Sequence, residues 1–138
     1  MRRKPAWFYQ QSAVIPYRVG RRGIEILLIT SRRRARWIIP KGIIESGLTA
    51  EESACKEAYE EAGIGGKVSS TPIGEYRYNK WGGVCTVKVF TLEVHTVLER
   101  WPEASVRQRQ WMTVKAAADA VEEPQLQNLI LTVADMKL

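Results

Sequence analysis

A helix with capping signals at both ends is the feature that most constrains the fold of this 138-residue chain. Thr49, followed three residues later by Glu52, is the pattern of a capping box at a helix N-terminus. Gly63 lies where a C-terminal cap is expected. These signals predict a helix from about Ala50 to Ala62, with a stripe of small apolar residues on the side that faces the core.

Strand patterns lie on both sides of this helix, and two further helix patterns follow them. The order of strands, helix, strands and helix predicts a mixed α/β or α+β sandwich in one domain over residues 1–138. Pro16 favours an edge or a bulge for its strand, residues 41–47 are predicted as a loop, and Gly82-Gly83 as a hairpin turn. The predicted strands are 12–19, 24–29, 37–39, 67–70, 73–78, 84–94 and 111–113, and the later helices are 114–121 and 125–136.

Three carboxylates fall on one face of the predicted helix, beside its buried stripe. Glu57, Glu60 and Glu61 are spaced at i, i+3 and i+4, so they share an arc roughly 100° wide. Like charges at this spacing repel, and a divalent cation such as Mg²⁺, which prefers oxygen ligands, would relieve the repulsion. The alternative is a solvated acidic face, on which Lys56 pairs with Glu52 and Glu60.

Charge is distributed unevenly along the chain. Residues 1–41 contain eleven lysines and arginines and one acid, for a net charge of +10, whereas the rest of the chain has a net charge of −4. The separation is consistent with solvation alone. It is also typical of a protein that holds a polyanion on one side and a cation on the other.

Composition limits the remaining classes. Two cysteines, Cys55 and Cys85, form no disulfide framework, which favours a reducing, cytoplasmic compartment. With one histidine, a zinc site is not expected. No apolar run approaches the roughly 18 residues that would span a membrane, so no membrane partner is expected. Residues 1–9 are predicted as a possible flexible basic tail.

The segment from Gly42 to Ile64 resembles the signature of the Nudix hydrolases. That signature is a glycine, five residues, Glu, seven residues, Arg-Glu, an aliphatic residue, any residue, Glu-Glu, any residue, Gly and an aliphatic residue. The matching positions are Gly42, Glu57, Glu60, Glu61, Gly63 and Ile64. Leu48 stands where the family has its first Glu, and Lys56 stands where it has Arg, so the charge is kept but the guanidinium fork is lost.

The resemblance implies the Nudix fold, a mixed sheet between helices, and a hydrolase that cleaves pyrophosphate bonds with Mg²⁺ or with Mn²⁺ in its place. Glu57, Glu60, Glu61 and the backbone carbonyl of Lys41 are the implied metal ligands, with the carbonyl of Gly42 as the alternative. Lys56 takes the place of the residue that orients the catalytic Glu. Glu57 is our candidate for the general base, and a Glu from a later segment, namely Glu75 or Glu93, is the alternative.

The stretches 27–40 and 60–66 are similar to the branch that hydrolyses diphosphoinositol polyphosphates and diadenosine polyphosphates. In that branch a Ser/Arg segment binds substrate phosphates, and guanidinium groups form strong hydrogen bonds with phosphate. A second wall is expected near Arg77 and Lys80, where Trp81 is a candidate for stacking on a ring. The predicted substrate-binding residues are Ser31, Arg32, Arg33, Arg36, Gly42 and Lys80.

The sequence therefore predicts Mg²⁺-dependent hydrolysis of a pyrophosphate bond in a small, highly phosphorylated substrate. A second hypothesis is removal of pyrophosphate from the 5′ end of RNA, or hydrolysis of another nucleoside diphosphate derivative. A third is a catalytically weak module that binds polyanions, which the departures at Leu48 and Lys56 favour. Nucleic-acid binding rests on basicity alone and is a weaker expectation. A monomer and a homodimer are both open.

Overall fold

One mixed sheet with helices on both faces organises the chain. The computed structural model describes residues 3–33 and 36–136. These residues form a 3₁₀ helix (Ala6–Tyr9), eight strands, three α-helices and a π-helical turn (Ala58–Ala62). The strands are β1 (Gln10–Gly20), β2 (Gly23–Thr30), β3 (Trp37–Ile38), β4 (Lys41–Ile43), β5 (Ile64–Val68), β6 (Gly74–Lys80), β7 (Gly83–Val97) and β8 (Arg109–Thr113), and the α-helices are α1 (Ala50–Glu57), α2 (Val114–Ala120) and α3 (Pro124–Val133).

The strand pairing confirms the predicted mixed sheet. The path through the sheet runs β3-β2-β1-β7-β5, with β4 paired to β1, β6 to β7 and β8 to β2. The central pair, β1 with β7, is parallel, whereas the other pairs are antiparallel. A parallel pair needs a long crossover, and the crossover here contains α1 and the residues that carry the acidic signature.

Alternating side chains of β1 divide the core between the two faces of the sheet. Ala13 and Ile15 pack with α2 and α3 on one face, and Val14 packs with Ala54 and Ala58 of the signature helix on the other. Period-two alternation produces this division, because successive side chains of a strand point to opposite faces. The predicted sandwich of a sheet between helices is therefore confirmed.

The capping signals act as predicted. The backbone N–H of Glu52 donates to Oγ1 of Thr49 (3.1 Å), and the N–H of Thr49 donates to Oε1 of Glu52 (2.8 Å). Gly63 ends the helical segment with φ +66°, in the left-handed region that glycine adopts readily. The segment spans the predicted residues 50–62, but its last five residues form a π-helical turn instead of regular α-helix.

Some local predictions were wrong. Residues 41–47 were expected to form a loop, but Lys41–Ile43 form β4, paired with Gln11–Ala13 of β1. Pro16 was expected at an edge or bulge, yet it lies within the central strand β1, opposite Leu92 of β7. Along its other side, β1 changes neighbour from β4 to β2 between residues 13 and 17. A residue without an N–H is tolerated in such a gap.

The N-terminal segment packs on the sheet. Residues 1–9 were predicted as a possible flexible basic tail, but Ala6–Tyr9 form the 3₁₀ helix and Tyr9 is buried. Arg3 donates to the carbonyl of Gly82 (2.8 Å). Met1 and Arg2 lie outside the described residues. Within the described part of the chain, no helix has the length and apolar character to cross a membrane.

Candidate active site

A cleft of about 720 Å³ brings the predicted acidic and basic residues together. Glu57 and Glu61 form one side, which we call the acidic wall. Arg32, Arg33 and Arg36, from the segment between β2 and β3, form the basic wall. Further lining residues come from β1, β3, β4, β6, α3 and the residues beside β2, β3, β6, β8 and α3: Gln11, Ser31, Ile38, Ile39, Lys41, Gly42, Ile43, Tyr76, Tyr78, Asn79, Lys80, Trp81, Arg107, Glu123 and Leu126.

The short strand β4 positions the acidic wall. The backbone N–H of Lys41 donates to Oε1 of Glu61 (3.2 Å). A Cβ at position 42 would overlap the Glu57 carboxylate, so any larger residue there would displace that carboxylate from its position in the cleft. Gly42 pairs with Ser12 of the central strand. The glycine of the signature therefore leaves the space that the Glu57 carboxylate occupies.

Burial perturbs both carboxylates of the acidic wall. Loss of solvent, followed by the charge of Glu60, raises the pKa of Glu57 to about 7. Loss of solvent also raises the pKa of Glu61 to about 8, although the neighbouring Arg107 opposes this shift. The two carboxyl groups lie close enough for a hydrogen bond, in which one of them donates only while it is protonated. Two desolvated carboxylates in contact favour either a shared proton or a bound cation.

The donor set of the acidic wall fits a hard divalent cation. Glu57 and Glu61 supply only oxygen, which Mg²⁺ prefers. Glu60 does not line the cleft, and its carboxylate lies 3.8 Å from Nζ of Lys56. No group of three or more His, Cys, Asp or Glu side chains within residues 3–33 and 36–136 is arranged to hold a metal. The structure thus brings together two of the three predicted carboxylate ligands.

A buried arginine that sequence reasoning missed anchors the acidic wall. Nη2 of Arg107 lies 3.6 Å from Oε2 of Glu61 and 2.9 Å from Oε1 of Glu103. Its Nη1 donates to the carbonyl of Thr30 (3.0 Å), and its side chain is 6% exposed. Because buried charges are normally paired, Arg107 keeps Glu61 and Glu103 in place. Neither Arg107 nor Glu103 belongs to a local motif, so no sequence signal identified them.

A second network holds the side chain of Lys41 inside the cleft. Its Nζ donates to the hydroxyl of Tyr78 (2.8 Å) and to Oε1 of Gln11 (3.3 Å). The Tyr78 hydroxyl also donates to Gln11 (2.8 Å). Burial, followed by the charge of Lys80, lowers the pKa of Lys41. Gln11 and Tyr78 were also missed by sequence reasoning, because they meet Lys41 only through strand pairing.

The predicted phosphate-binding residues line the same cleft. Arg32 approaches Glu103 (3.3 Å) and Arg36 approaches Glu122 (3.0 Å), while both stay largely exposed. The backbone N–H of Ser31 donates to the carbonyl of Arg36 (2.8 Å), which closes the turn between them. The cleft lining includes all six predicted binding residues: Ser31, Arg32, Arg33, Arg36, Gly42 and Lys80. Arg34, in the same basic segment, lies outside the described residues.

The alternative general bases and Arg77 lie away from the cleft lining. Glu75 pairs with Arg77 (3.4 Å), and Glu93 with His95 (2.6 Å). None of these residues is among those that line the cleft. Glu103, from a later segment, shares the Arg107 guanidinium group with Glu61 but does not itself line the cleft.

Lys56 is not directed into the cleft. Its Nζ donates to both carboxylate oxygens of Glu45, at 2.9 and 2.7 Å. This hydrogen bond is the main cause that raises the pKa of Lys56. The suggested pairing of Lys56 with Glu52 is wrong, because Glu52 closes the capping box. Leu48 is partly exposed beside this segment.

A mixed sheet between helices, with paired carboxylates on a helix behind a glycine-containing strand, defines a Nudix domain. Residues 9–132 match the family model for the NUDIX domain. The chain therefore belongs to the Nudix hydrolase family.

Similar proteins extend this result. The chain is 36% identical over 104 residues to Nudix hydrolase 12, mitochondrial, of Arabidopsis thaliana, covering 70% of this chain and 51% of that protein. It is 32% identical over 120 residues to diphosphoinositol polyphosphate phosphohydrolase 3-alpha of Mus musculus, covering 86% and 72%. The chain thus spans about half the length of the first plant relative.

Among solved structures, the Ap4A hydrolase of C. elegans superimposes with a TM-score of 0.76 at 18% identity, covering 92% of this chain and 96% of that one. The E. coli dihydroneopterin triphosphate pyrophosphohydrolase superimposes with a TM-score of 0.71 at 14% identity, covering 98% and 99%. At these identities the superpositions establish the shared fold.

Proposed function

We propose that this chain hydrolyses a pyrophosphate bond in a small, highly phosphorylated substrate. The observation that carries the proposal is the cleft itself, in which the acidic wall of Glu57 and Glu61 shares one cavity with the arginines of the basic wall. A phosphate chain needs cationic groups along its length and a cation at the bond that breaks. One cavity contains the cationic side chains and the pair of carboxylates that would hold the cation.

Mg²⁺, with Mn²⁺ as a substitute, is the proposed cofactor. Glu57 and Glu61 would hold it, with Glu60 and the backbone carbonyl of Lys41 as the further ligands that the family signature implies. When bound, the metal supplies charge stabilisation at the phosphoryl oxygens and a more acidic water. The carboxylate pair supports this assignment, because its oxygens are desolvated and in contact with each other.

The protein's own groups divide the remaining work. Arg107 fixes the orientation of Glu61 through the contact at 3.6 Å. The ammonium group of Lys41, held by Tyr78, offers a fixed positive charge within the cleft. We assign the general base to Glu57, whose carboxylate lines the cleft beside Glu61.

Two substrate classes match the names of similar proteins. One relative is named a diphosphoinositol polyphosphate phosphohydrolase, and one solved structure of the same fold is an Ap4A hydrolase. We propose that the substrate belongs to the class of diadenosine polyphosphates or diphosphoinositol polyphosphates. The 5′ end of RNA and other nucleoside diphosphate derivatives are the alternatives. A module that binds polyanions without turnover is a further alternative.

A substrate panel tests the proposal. Diadenosine polyphosphates, diphosphoinositol polyphosphates, nucleoside triphosphates and 5′-triphosphorylated RNA are incubated with the protein and Mg²⁺ or Mn²⁺. We expect turnover of one of the first two classes, and its loss in Glu61→Gln. Faster turnover of the RNA would replace the substrate assignment. No turnover of any substrate, together with retained binding, would establish the binding module instead.

The cytoplasm is our proposed compartment, supported by the free thiols of Cys55 and Cys85. Several of the plant relatives are named as mitochondrial or chloroplastic proteins. Fractionation of cells that express the tagged full-length protein tests the assignment. Recovery in an organelle fraction would overturn it.

A further inference from the structure

Trp81 occupies a backbone conformation that a bulky side chain adopts rarely. It forms, with Gly82, the two-residue turn that joins Lys80 of β6 to Gly83 of β7. Its φ is +55°, and that of Gly82 is +68°. Among the described residues, Trp81 is the one residue other than glycine with a positive φ. Turns of this kind favour Asn-Gly, so the hairpin alone does not explain a tryptophan.

Contacts from the N-terminal segment hold this turn in place. The hydroxyl of Tyr9 donates to the carbonyl of Trp81 (2.6 Å), and Arg3 donates to the carbonyl of Gly82 (2.8 Å). The Phe8 ring meets the Trp81 ring edge-on, with centroids 5.3 Å apart. Strained residues persist only where their surroundings fix them, and they cluster at functional sites. The indole is therefore fixed at a defined position by both backbone and side-chain contacts.

That position is the rim of the cleft. Trp81 lines the cleft together with Glu57, Glu61 and the basic wall. It also lines a shallow depression outside the cleft, beside Val84. The partly exposed indole thus joins the cavity that holds the acidic wall to the outer surface. A ligand bound in the cleft can therefore contact this ring.

The ammonium group of a flexible lysine, Lys80, contacts the Trp81 ring. Nζ of Lys80 lies 4.5 Å from the centroid of the Trp81 ring, and the Lys80 side chain is exposed. A cation–π contact at an exposed site is weaker than the stacking of a nucleobase on an aromatic ring. A base can therefore displace the ammonium group, which then stays beside the ring to contact a phosphate.

We propose that Trp81 is a stacking platform for a nucleobase, so that the preferred substrate is a nucleotide, such as a dinucleoside polyphosphate, instead of an inositol pyrophosphate. This inference rests on the proposed function and narrows its substrate class. The chemistry is specific, because an inositol ring is saturated and carries no π-face, whereas a purine stacks on indole. Trp81 sets specificity, and the acidic wall is common to both substrates.

Replacement of the ring without loss of the turn tests the proposal. Trp81→Asn supplies the side chain that such a turn prefers and removes the indole, whereas Trp81→Phe retains a smaller π-face. Trp7→Ala is the matched control, because Trp7 is a neighbouring aromatic, 58% exposed, that does not line the cleft. Circular dichroism establishes that each variant is folded before any comparison.

Kinetics with diadenosine tetraphosphate and a diphosphoinositol polyphosphate give the first measurement. We expect Trp81→Asn to reduce, by about tenfold or more, the ratio of kcat/KM for the dinucleotide to kcat/KM for the inositol substrate. The loss should appear mainly in KM for the dinucleotide, and Trp81→Phe should recover part of it. Trp7→Ala should leave the ratio as in the wild type. An equal ratio in folded Trp81→Asn and wild type would overturn the proposal.

Calorimetric titration with adenosine 5′-monophosphate gives a measurement that does not need turnover. We expect binding to wild type and Trp7→Ala, with affinity about tenfold weaker in Trp81→Asn. Equal affinity in wild type and Trp81→Asn, or no measurable binding to wild type, would refute the platform whether or not hydrolysis occurs. Conversely, Trp81-dependent binding without hydrolysis of any pyrophosphate would refute the proposed activity and retain the platform.

Discussion

The carboxylates of the acidic wall are held from several directions, whereas the guanidinium groups of the basic wall face solvent. Glu61 is buried, receives the N–H of Lys41, and lies against Arg107. Arg32 and Arg36 are 61% and 49% exposed, and each pairs with a single acid from a distant segment. One wall is fixed before a substrate arrives, and the other can change its contacts.

This difference assigns different tasks to the two walls. Desolvated groups in fixed positions act strongly on a reacting centre, because no reorganisation is needed when charge develops. Exposed arginines adapt to phosphate chains of different length, and their contribution is screened by salt. Changes in the acidic wall should therefore affect kcat, and changes in the basic wall should affect KM and its dependence on salt.

The largest expected effect comes from the acidic wall. Glu61→Gln keeps the size of the side chain and its contact with β4 but removes a charged ligand. We expect kcat to fall by at least about 100-fold with Mg²⁺ while the fold survives. Glu60→Gln should cost less, because Glu60 lies beside Lys56 and outside the cleft lining. Steady-state kinetics on the best substrate of the panel measure both.

Glu99→Gln is the control for these variants, because Glu99 is an exposed acid outside the cleft lining. It should match the wild type in kcat. A loss in Glu60→Gln as large as that in Glu61→Gln would contradict the division between the two residues. It would show that Glu60 contributes as much to the metal site as Glu61.

Substitution of Arg107 should reduce stability as well as activity, and by more than substitution of any arginine of the basic wall. Arg107→Ala leaves Glu61 and Glu103 without their shared cation in a buried setting. We expect the free energy of unfolding to fall by about 3 kcal/mol, because breaking a buried ion pair strands its partner. Arg107→Lys should restore part of the stability, and Arg33→Gln, in the basic wall, should cost little. Denaturant unfolding curves provide the comparison.

The residues of the site that lie within one short segment could be predicted from local sequence signals. The capping box, Gly63 and the spacing of Glu57 and Glu61 all lie within one short segment, where helical periodicity determines which side chains meet. Gly42 also belongs to this segment, although its close approach to Glu57 is seen only in the structure.

The positions of the other site residues depend on contacts between distant segments. Arg107 reaches Glu61 because β8, which follows it, pairs with β2. Gln11 and Tyr78 meet Lys41 because β1 joins β4 to β7, and β7 carries β6. None of these residues stands in a local pattern, since strand pairing across the sheet decides its position. For the same reason, the local sequence predicts a loop where β4 lies, because its three residues form a strand only by pairing with β1.

The pH dependence of metal stabilisation tests whether the acidic wall is preorganised for a cation. The raised pKa values mean that the metal-free folded protein binds protons that the unfolded chain releases. The contribution of this carboxylate pair to the stability of the metal-free protein is therefore fully present below about pH 4.5 and is lost as the pH rises toward 8. Mg²⁺ competes with these protons, so its binding should strengthen over the same range.

We expect Mg²⁺ at saturating concentration to raise the Tm by a few degrees at pH 8 and by less at pH 5.5. Differential scanning calorimetry with and without the metal measures the difference. Glu61→Gln should lose most of the increase at pH 8. An equal increase at both pH values in the wild type would mean that the metal binds elsewhere than at this pair.

The smallest effect is expected where the chain departs from the family signature. Lys56 and Glu45 form an exposed ion pair, and exposed pairs contribute little because water and salt screen them. Lys56→Ala should therefore change kcat/KM by less than about fivefold. A loss of two orders of magnitude would instead show that this pair orients Glu57, which follows Lys56 directly in the helix.

The substitution Leu48→Glu tests whether Glu45 has taken over the role of the carboxylate that the signature has at position 48. It places a carboxylate at the position that the signature reserves for one, within the segment that the Glu45 pair ties to α1. If Glu45 has taken over the role of the missing residue, Leu48→Glu adds nothing in the wild type but rescues Glu45→Gln. If rescue fails while Glu45→Gln is impaired, the two positions are not equivalent. Because Leu48 is partly exposed, the change should not disturb the core, so kcat/KM reports on the ion pair itself.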